Sequence, residues 1–317
     1  MPKWRDRPEG GNRFWLLLIR WLILNVGRGF AQLCMWPTSL YFLLVRGDER
    51  RASRYWLERV QAPRRGLFGV LLHIYTFAIT IVDRVLLLAG RDRSLKVRAE
   101  GIDQLNEVLA RGRGCLLLGS HLGSFEAIRV FSRQAPAEFR RLKVVMDRNQ
   151  NSLMTRMLEA INPEIRDTVI SARQPGPQIV LEAAEVMAQG GMVAMLADRT
   201  YRQEAAVEVD FLGQGAPFPV APLAIAAALD VPVFLVFGIY EGKRRYRLVF
   251  DPLPSPGPLS RNRREKRAQL NQWVAAYAQR LEHYAKAYPY NWFNFYDFWN
   301  SDRPAADRAE HASSGPG

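Results

Sequence analysis

Residues 114–130, GCLLLGSHLGSFEAIRV, set the tightest condition on what this chain can fold into. Cys115 to Leu118 form a continuous apolar run, the pattern of a strand covered on both faces in a parallel sheet. A Gly-Ser turn presenting His121 follows, and a helix is expected to start near Ser124, whose hydroxyl suits the N-cap position. Glu126 then falls in the first turn, where the helix dipole favours a carboxylate. On one continuous helix His121 and Glu126 would be separated by about 140°. The pair therefore meets only if the histidine lies in the turn and the glutamate faces back from the helix. A carboxylate on one ring nitrogen would fix the tautomer and leave the other nitrogen free to take a proton from a hydroxyl, which is half of an acyl-transfer site. The spacing alone equally describes a capped helix start with an incidental histidine.

The 317 residues suffice for one large α/β domain with attachments or for two small ones, and a hydrophobic content of 48% excludes a disordered chain. A net charge of +13 suits an anionic partner: nucleic acid, an anionic membrane surface or a phosphorylated substrate. No nucleic-acid fold signature occurs, and aromatics do not interleave with the basic runs in a stacking pattern, which argues against nucleic acid. Cys34 and Cys115 are far apart, so they make neither a disulfide framework nor a C-x-x-C pair. His73, His121, His283 and His311 stand in unrelated contexts, so no metal site is expected.

The N-terminal third points to a membrane. Residues 14–45 are almost wholly apolar, interrupted by Arg20, Asn25 and Arg28. Arg20 and Arg28 would share roughly one helix face, as in an in-plane amphipathic anchor or a tilted helix with snorkelling arginines. A helical hairpin packed on the protein's own core is the alternative. A cleaved signal peptide is disfavoured by the length of the run and by Arg20. Residues 46–60 read as a charged helix and residues 67–90 as a second long apolar helix, in which His73 and Asp83 are expected to be satisfied buried or groove-lining groups.

From Leu95 the pattern is α/β: strands at 96–100, 115–118, 142–146, 168–170 and 192–197, with helices at 102–110, 152–161 and 178–189. Asp198 and Arg199 close the 192–197 strand, and the carboxyl ends of parallel strands are where open α/β sheets place their sites. Residues 211–230 read as a Gly/Pro loop feeding a small-residue helix. Strands at 231–240 and 246–253 pair through the EGKRR turn, and an amphipathic helix spans 263–288. The expected fold is α/β, with a mixed, mainly parallel central sheet flanked by helices. The expected organisation is a membrane-associating helical region over 1–92, an α/β domain over 93–300 and a disordered tail over 301–317.

Four blocks in this order carry a resemblance: GSHLGSFE; MDRNQN before a helix; LADRTY through VEVDFLGQGAPFPVAPLAIAAALDVPV; and YPYNWFNFYDFW. Together they resemble the lysophospholipid acyltransferase superfamily, and within it the bacterial lipid A late acyltransferases (HtrB-type) and their relatives. The resemblance implies a glycerol-3-phosphate acyltransferase-like fold. The reaction it implies moves a fatty acyl chain from acyl carrier protein or acyl-coenzyme A to a hydroxyl or amine of a lipid, such as a lipid A precursor. His121 would be the general base, oriented by Glu126, with the oxyanion met by backbone amides of the Gly119–Gly123 turn or by a nearby arginine. Arg148, then Arg173 and Arg199, would bind a phosphate or phosphopantetheine, and Asp198 a sugar or glycerol hydroxyl. Phe211, Leu212 and Gly213, with Pro217 and Pro219, would border the acyl channel. Trp292 to Trp299 would pack and anchor at the interface. No cofactor is implied, and the location would be an anionic surface, the bacterial inner membrane, with the site facing the cytoplasm. The chain departs from the family pattern in having Met146-Asp147-Arg148 for Tyr-Arg-Pro and Asp198-Arg199 where Asp-Gln is commoner. A lysophospholipid, an aminolipid or an aryl-polyene lipid therefore stands as an alternative acceptor, and a non-catalytic basic peripheral membrane protein as the reading from another class.

Overall fold

The computed structural model describes residues 21, 23, 25–91, 95–128, 141–146, 168–200 and 205–299. Three helices come first: α1 (Arg28–Val45), α2 (Gly47–Arg59) and α3 (Gly66–Leu88). There follow β1 (Lys96–Glu100), α4 (Ile102–Ala110), β2 (Cys115–Gly119), β3 (Leu142–Met146), β4 (Val169–Ser171), α5 (Gly176–Ala188) and β5 (Met192–Leu196). Last come β6 (Ala206–Phe211), β7 (Gln214–Pro219), α6 (Ala221–Leu229), β8 (Val233–Tyr240), β9 (Arg245–Leu253) and α7 (Arg263–Ala287).

Seven strands form one sheet in the order β1-β9-β8-β2-β5-β3-β4. From β8 to β4 the neighbours are all parallel, whereas β9 runs antiparallel to β8 and pairs in parallel with β1. The expected α/β architecture is present. Its logic is plainest in β2, where every residue is buried. Leu116 and Leu118 enter one core cluster while Cys115 and Leu117 enter the other, on the opposite face. A strand covered on both sides must be apolar at every position rather than at every second one.

Residues 211–230 depart from expectation. They do not begin as a loop: Gln214–Pro219 is a strand, paired antiparallel with β6 through a turn at Leu212 and Gly213. Proline is tolerated there because β7 has one partner strand among the described residues, so an edge of its backbone needs no ladder bond.

Helix α1 starts after Gly27, whose φ of 105° suits glycine. Its Ala31, Met35, Ser39 and Leu43 face inward at four-residue spacing, and Phe30, Leu33, Leu40, Tyr41 and Leu44 are exposed. Arg28 does not snorkel. It is buried, and its guanidinium holds Asp83 of α3 through two hydrogen bonds of 2.6 and 2.9 Å, while the Tyr246 hydroxyl of β9 donates to the same carboxylate. Arg20 lies outside the described residues. Trp56 and Leu57 of α2 and Val70 and Ile74 of α3 join the main core, so the leading helices and the sheet share one apolar interior. Residues 66–87 are long and apolar enough to cross a membrane, yet 67% of their most apolar window is buried inside the protein.

Candidate active site

The carboxyl ends of β2 and β5 lie side by side, with Gly119 in register with Leu196. Each strand delivers one side chain just beyond its end: His121 from β2 and Asp198 from β5. Asp198 is completely buried. His121 Nδ1–H donates to Asp198 Oδ1 at 2.8 Å, and the His121 backbone N–H donates to Oδ2 at 2.9 Å. Trp292 Nε1–H and an Asn294 amide N–H add bonds to Oδ2 at 3.0 and 3.3 Å. A carboxylate is an acceptor only, so the histidine carries its proton on Nδ1 and leaves Nε2 as an unprotonated acceptor.

The turn bearing His121 is clamped from two sides. On one, Gly123, at φ +79°, lies against Gly238 of β8, and the Ser124 N–H donates to the Gly238 carbonyl at 2.7 Å. A Cβ on either glycine would come within 2.1 Å of the opposing backbone oxygen, so both positions require glycine. On the other, residues 291–293 run antiparallel to the turn: the Gly123 N–H donates to the Asn291 carbonyl and the Phe293 N–H to the His121 carbonyl. The Asn291 side chain accepts from the Tyr240 N–H and donates to the Tyr240 carbonyl, tying this segment to β8.

Beneath the clamp sits His73 of α3. Its Nε2–H donates to the Trp292 carbonyl at 2.9 Å, since a carbonyl can only accept, and its Nδ1 accepts a hydrogen bond from the Ser53 hydroxyl at 2.8 Å. His73 is fully buried, and that burial lowers its affinity for a proton to a pKa of about 4. His121 is also shifted down. Removal from water is the largest cause, the Arg199 and Arg84 cations act in the same direction, and Asp198 opposes them. Burial works against the charge on Asp198, but His121 and Arg199 hold its carboxyl well below the usual range. At neutral pH the pair is an ionised carboxylate beside an uncharged imidazole.

The profile of the bacterial lipid A biosynthesis acyltransferases matches residues 70–301. The chain belongs to that family. It is an acyltransferase of the lipid A type, which takes an acyl group from a donor to a lipid acceptor. The match begins within α3, so α1 and α2 precede it. No curated protein matches the chain.

Several sequence expectations take a different form in this acyltransferase. Glu126 does not touch His121; its carboxylate pairs with Arg84 of α3 at 2.6 Å. Glu126, in the first turn after Ser124, reaches α3, while the histidine ring turns toward β5. Ser124 does not cap that helix with its side chain, because its hydroxyl is buried with no partner. Asp198 is fully buried and already accepts four hydrogen bonds from His121, Trp292 and Asn294, so its role is to hold the histidine rather than to meet an acceptor hydroxyl. The amides of residues 121–124 are likewise committed, to Asp198, Ser120 Oγ, Asn291 and Gly238 in turn, so they cannot be the oxyanion donors.

Arg199 comes within the site but points at the clamp, donating to Asn294 Oδ1 at 2.8 Å and to the Phe293 carbonyl at 3.1 Å. Arg173 is exposed after β4, which stands three strands from β2, or roughly 14 Å by strand spacing. Arg148 lies outside the described residues. Phe211 is buried in an aromatic cluster with Phe218, Trp292, Phe298 and Trp299, which makes the C-terminal aromatics packing groups rather than surface anchors.

Sequence reasoning missed Arg84, Trp292 and Asn294 as neighbours of the histidine. Arg84 lies within a long apolar helix, where nothing in the local sequence pairs it with His121. Its Nε is buried without a partner, leaving a donor uncommitted.

Proposed function

We propose that this acyltransferase uses His121 as its general base and Asp198 as the carboxylate that holds and steadies it. The observation that carries the reading is the 2.8 Å bond from His121 Nδ1 to a buried, fully hydrogen-bonded Asp198. Nε2 of the neutral imidazole takes the proton of the acceptor hydroxyl as that oxygen attacks the acyl thioester carbonyl. Asp198 stabilises the imidazolium that forms. As the tetrahedral intermediate collapses, the C–S bond breaks and the imidazolium returns its proton to the departing thiolate. Arg84 meets the negative charge on the carbonyl oxygen; its charge reaches His121, and one of its donors is free. Glu126 places Arg84.

The acceptor is a lipid A precursor or related glycolipid, and the donor an acyl carrier protein or coenzyme A thioester. Both choices rest on family membership, and the Arg84 and Arg199 cations near His121 suit a phosphorylated lipid. The exposed apolar stripe of α1, continued by Leu67 and Phe68 at the start of α3, supports association with a membrane surface, and the family resemblance makes that surface the cytoplasmic side of the bacterial inner membrane.

The test supplies purified protein with labelled acyl thioesters and a total lipid extract, beside His121→Ala and Asp198→Asn. Label entering a lipid with the parent and not with His121→Ala supports the base, and the product names the acceptor. Equal transfer by the parent and His121→Ala would remove His121 from the chemistry.

A further inference from the structure

The turn joining β8 to β9 carries charge at a conformational cost. The Arg245 N–H donates to the Gly242 carbonyl at 2.9 Å, which makes Lys243 and Arg244 the two central residues. Both are left-handed, at φ 47° and 66°. Hairpins with this backbone favour Asn-Gly or Gly-Gly, because a side chain is strained at positive φ. Here two long cations occupy the positions instead.

A second cost lies beside it. Lys96 of β1 is directly opposite Arg245, and Arg98 is directly opposite Arg247. Like charges facing each other across strands are destabilising. The inner pair is neutralised, since Arg98 holds Glu241 at 2.9 Å and Arg247 holds Glu100 at 2.6 Å. The outer pair is not. Lys96, Lys243, Arg244 and Arg245 are all exposed, with no side-chain partner among the described residues.

This cluster stands at the active-site end of the sheet. Tyr240, just before the turn, is bound to Asn291 of the clamp, and Gly238 holds the His121 turn. Tyr246, just after it, reaches Asp83 and through it Arg28 at the start of α1. The cations are thus fixed between the site and the helix whose outer face is apolar. Another dense basic run, Arg261 to Arg267 at the start of α7, belongs to the far end: it follows β9, whose last residue pairs with the first of β8.

We propose that the β8–β9 turn, with Lys96, is a cationic finger that sets down on the anionic headgroups of a bilayer and, with the apolar face of α1, turns the mouth of the active site toward the lipid. This rests on the membrane reading above and adds the groups that orient it. Two costs to stability at one exposed tip, next to an apolar surface, fit a tip selected for contact. Anionic lipid is favoured over an acidic carrier protein because the apolar stripe of α1 adjoins the same end.

The variant Lys243→Asn/Arg244→Gly supplies the residues that the backbone prefers while removing two charges. Arg263→Gln/Arg264→Gln removes two charges from the far end as a control. Each full-length protein is spun with vesicles of phosphatidylcholine alone or mixed with phosphatidylglycerol. The parent and the control are expected to prefer the anionic vesicles, with the preference fading at high salt. The turn variant is expected to melt at a higher temperature and to bind anionic vesicles roughly 30-fold more weakly, with binding to neutral vesicles unchanged. A turn variant that keeps its anionic preference, or a control that loses it equally, would overturn the finger. So would loss of acyl carrier protein binding with lipid preference intact, which would assign the turn to the donor. A parent that binds neither vesicle sinks the membrane reading itself.

Discussion

At His121 the decisive quantity is which charges face the ring. As the proposed base, His121 works uncharged, so activity should fall as the pH drops through the His121 value, which lies below the ordinary 6.5. Asp198 raises that value and Arg84 lowers it. Asp198→Asn should therefore move the acid limb of kcat/KM to lower pH and cut the rate by roughly 10³–10⁴, the scale for a base in the wrong tautomer. Arg84→Met should move the limb to higher pH. Glu126→Gln leaves Arg84 uncompensated, so its limb should shift slightly down, with a smaller loss of rate than Asp198→Asn causes. Rate against pH for the three proteins separates the two carboxylates. If Glu126→Gln alone reproduces the Asp198→Asn profile, the histidine's working partner is Glu126.

Among the elements, a buried ion pair ties the leading helices to the sheet beside their shared apolar core. Arg28 of α1 donates two hydrogen bonds to Asp83 of α3 away from solvent, and the Tyr246 hydroxyl of β9 donates a third to the same carboxylate. Removing one partner leaves a buried charge without its counterpart, which costs roughly 3–5 kcal/mol. Asp83→Asn should unfold at correspondingly lower denaturant, whereas Arg28→Met/Asp83→Leu, which removes both charges, should recover most of the loss. Denaturant titration of the two variants reads this directly. Full stability in Asp83→Asn would show that α1 is held by its apolar face alone.

For the whole molecule, His73 links pH to stability. It is neutral when folded, with a pKa of about 4 against 6.5 for the free side chain. Between those values the unfolded chain binds the proton and the folded one does not. Stability should therefore fall as the pH is lowered from 6.5 toward 4, by about 3 kcal/mol in all from this group. Melting temperature measured across that range should decline in the parent and decline less in His73→Gln. An equal decline in both would place the acid sensitivity elsewhere.

The sequence by itself determined most of the described strands and helices, β6 and β7 excepted, because each is written locally. The continuous apolar run from Cys115 to Leu118 requires a strand covered on both faces, and the apolar run that ends at Asp198 requires another. It also determined that His121 sits in a turn at a strand's carboxyl end. What it left open was which carboxylate the histidine meets. Glu126 is near in sequence, but a helical turn directs it to α3 and Arg84. Asp198 is 77 residues away and arrives only because β5 is hydrogen-bonded to β2. Strand order is a long-range choice made by packing two apolar faces at once, and no local spacing encodes it. The same holds for Trp292 and Asn294, which reach Asp198 only when the C-terminal segment lies across the turn, and for Pro217 and Pro219, which read as a loop until β6 pairs with them. Tertiary structure decided the site's partners because the contacts that make them are between elements rather than within one.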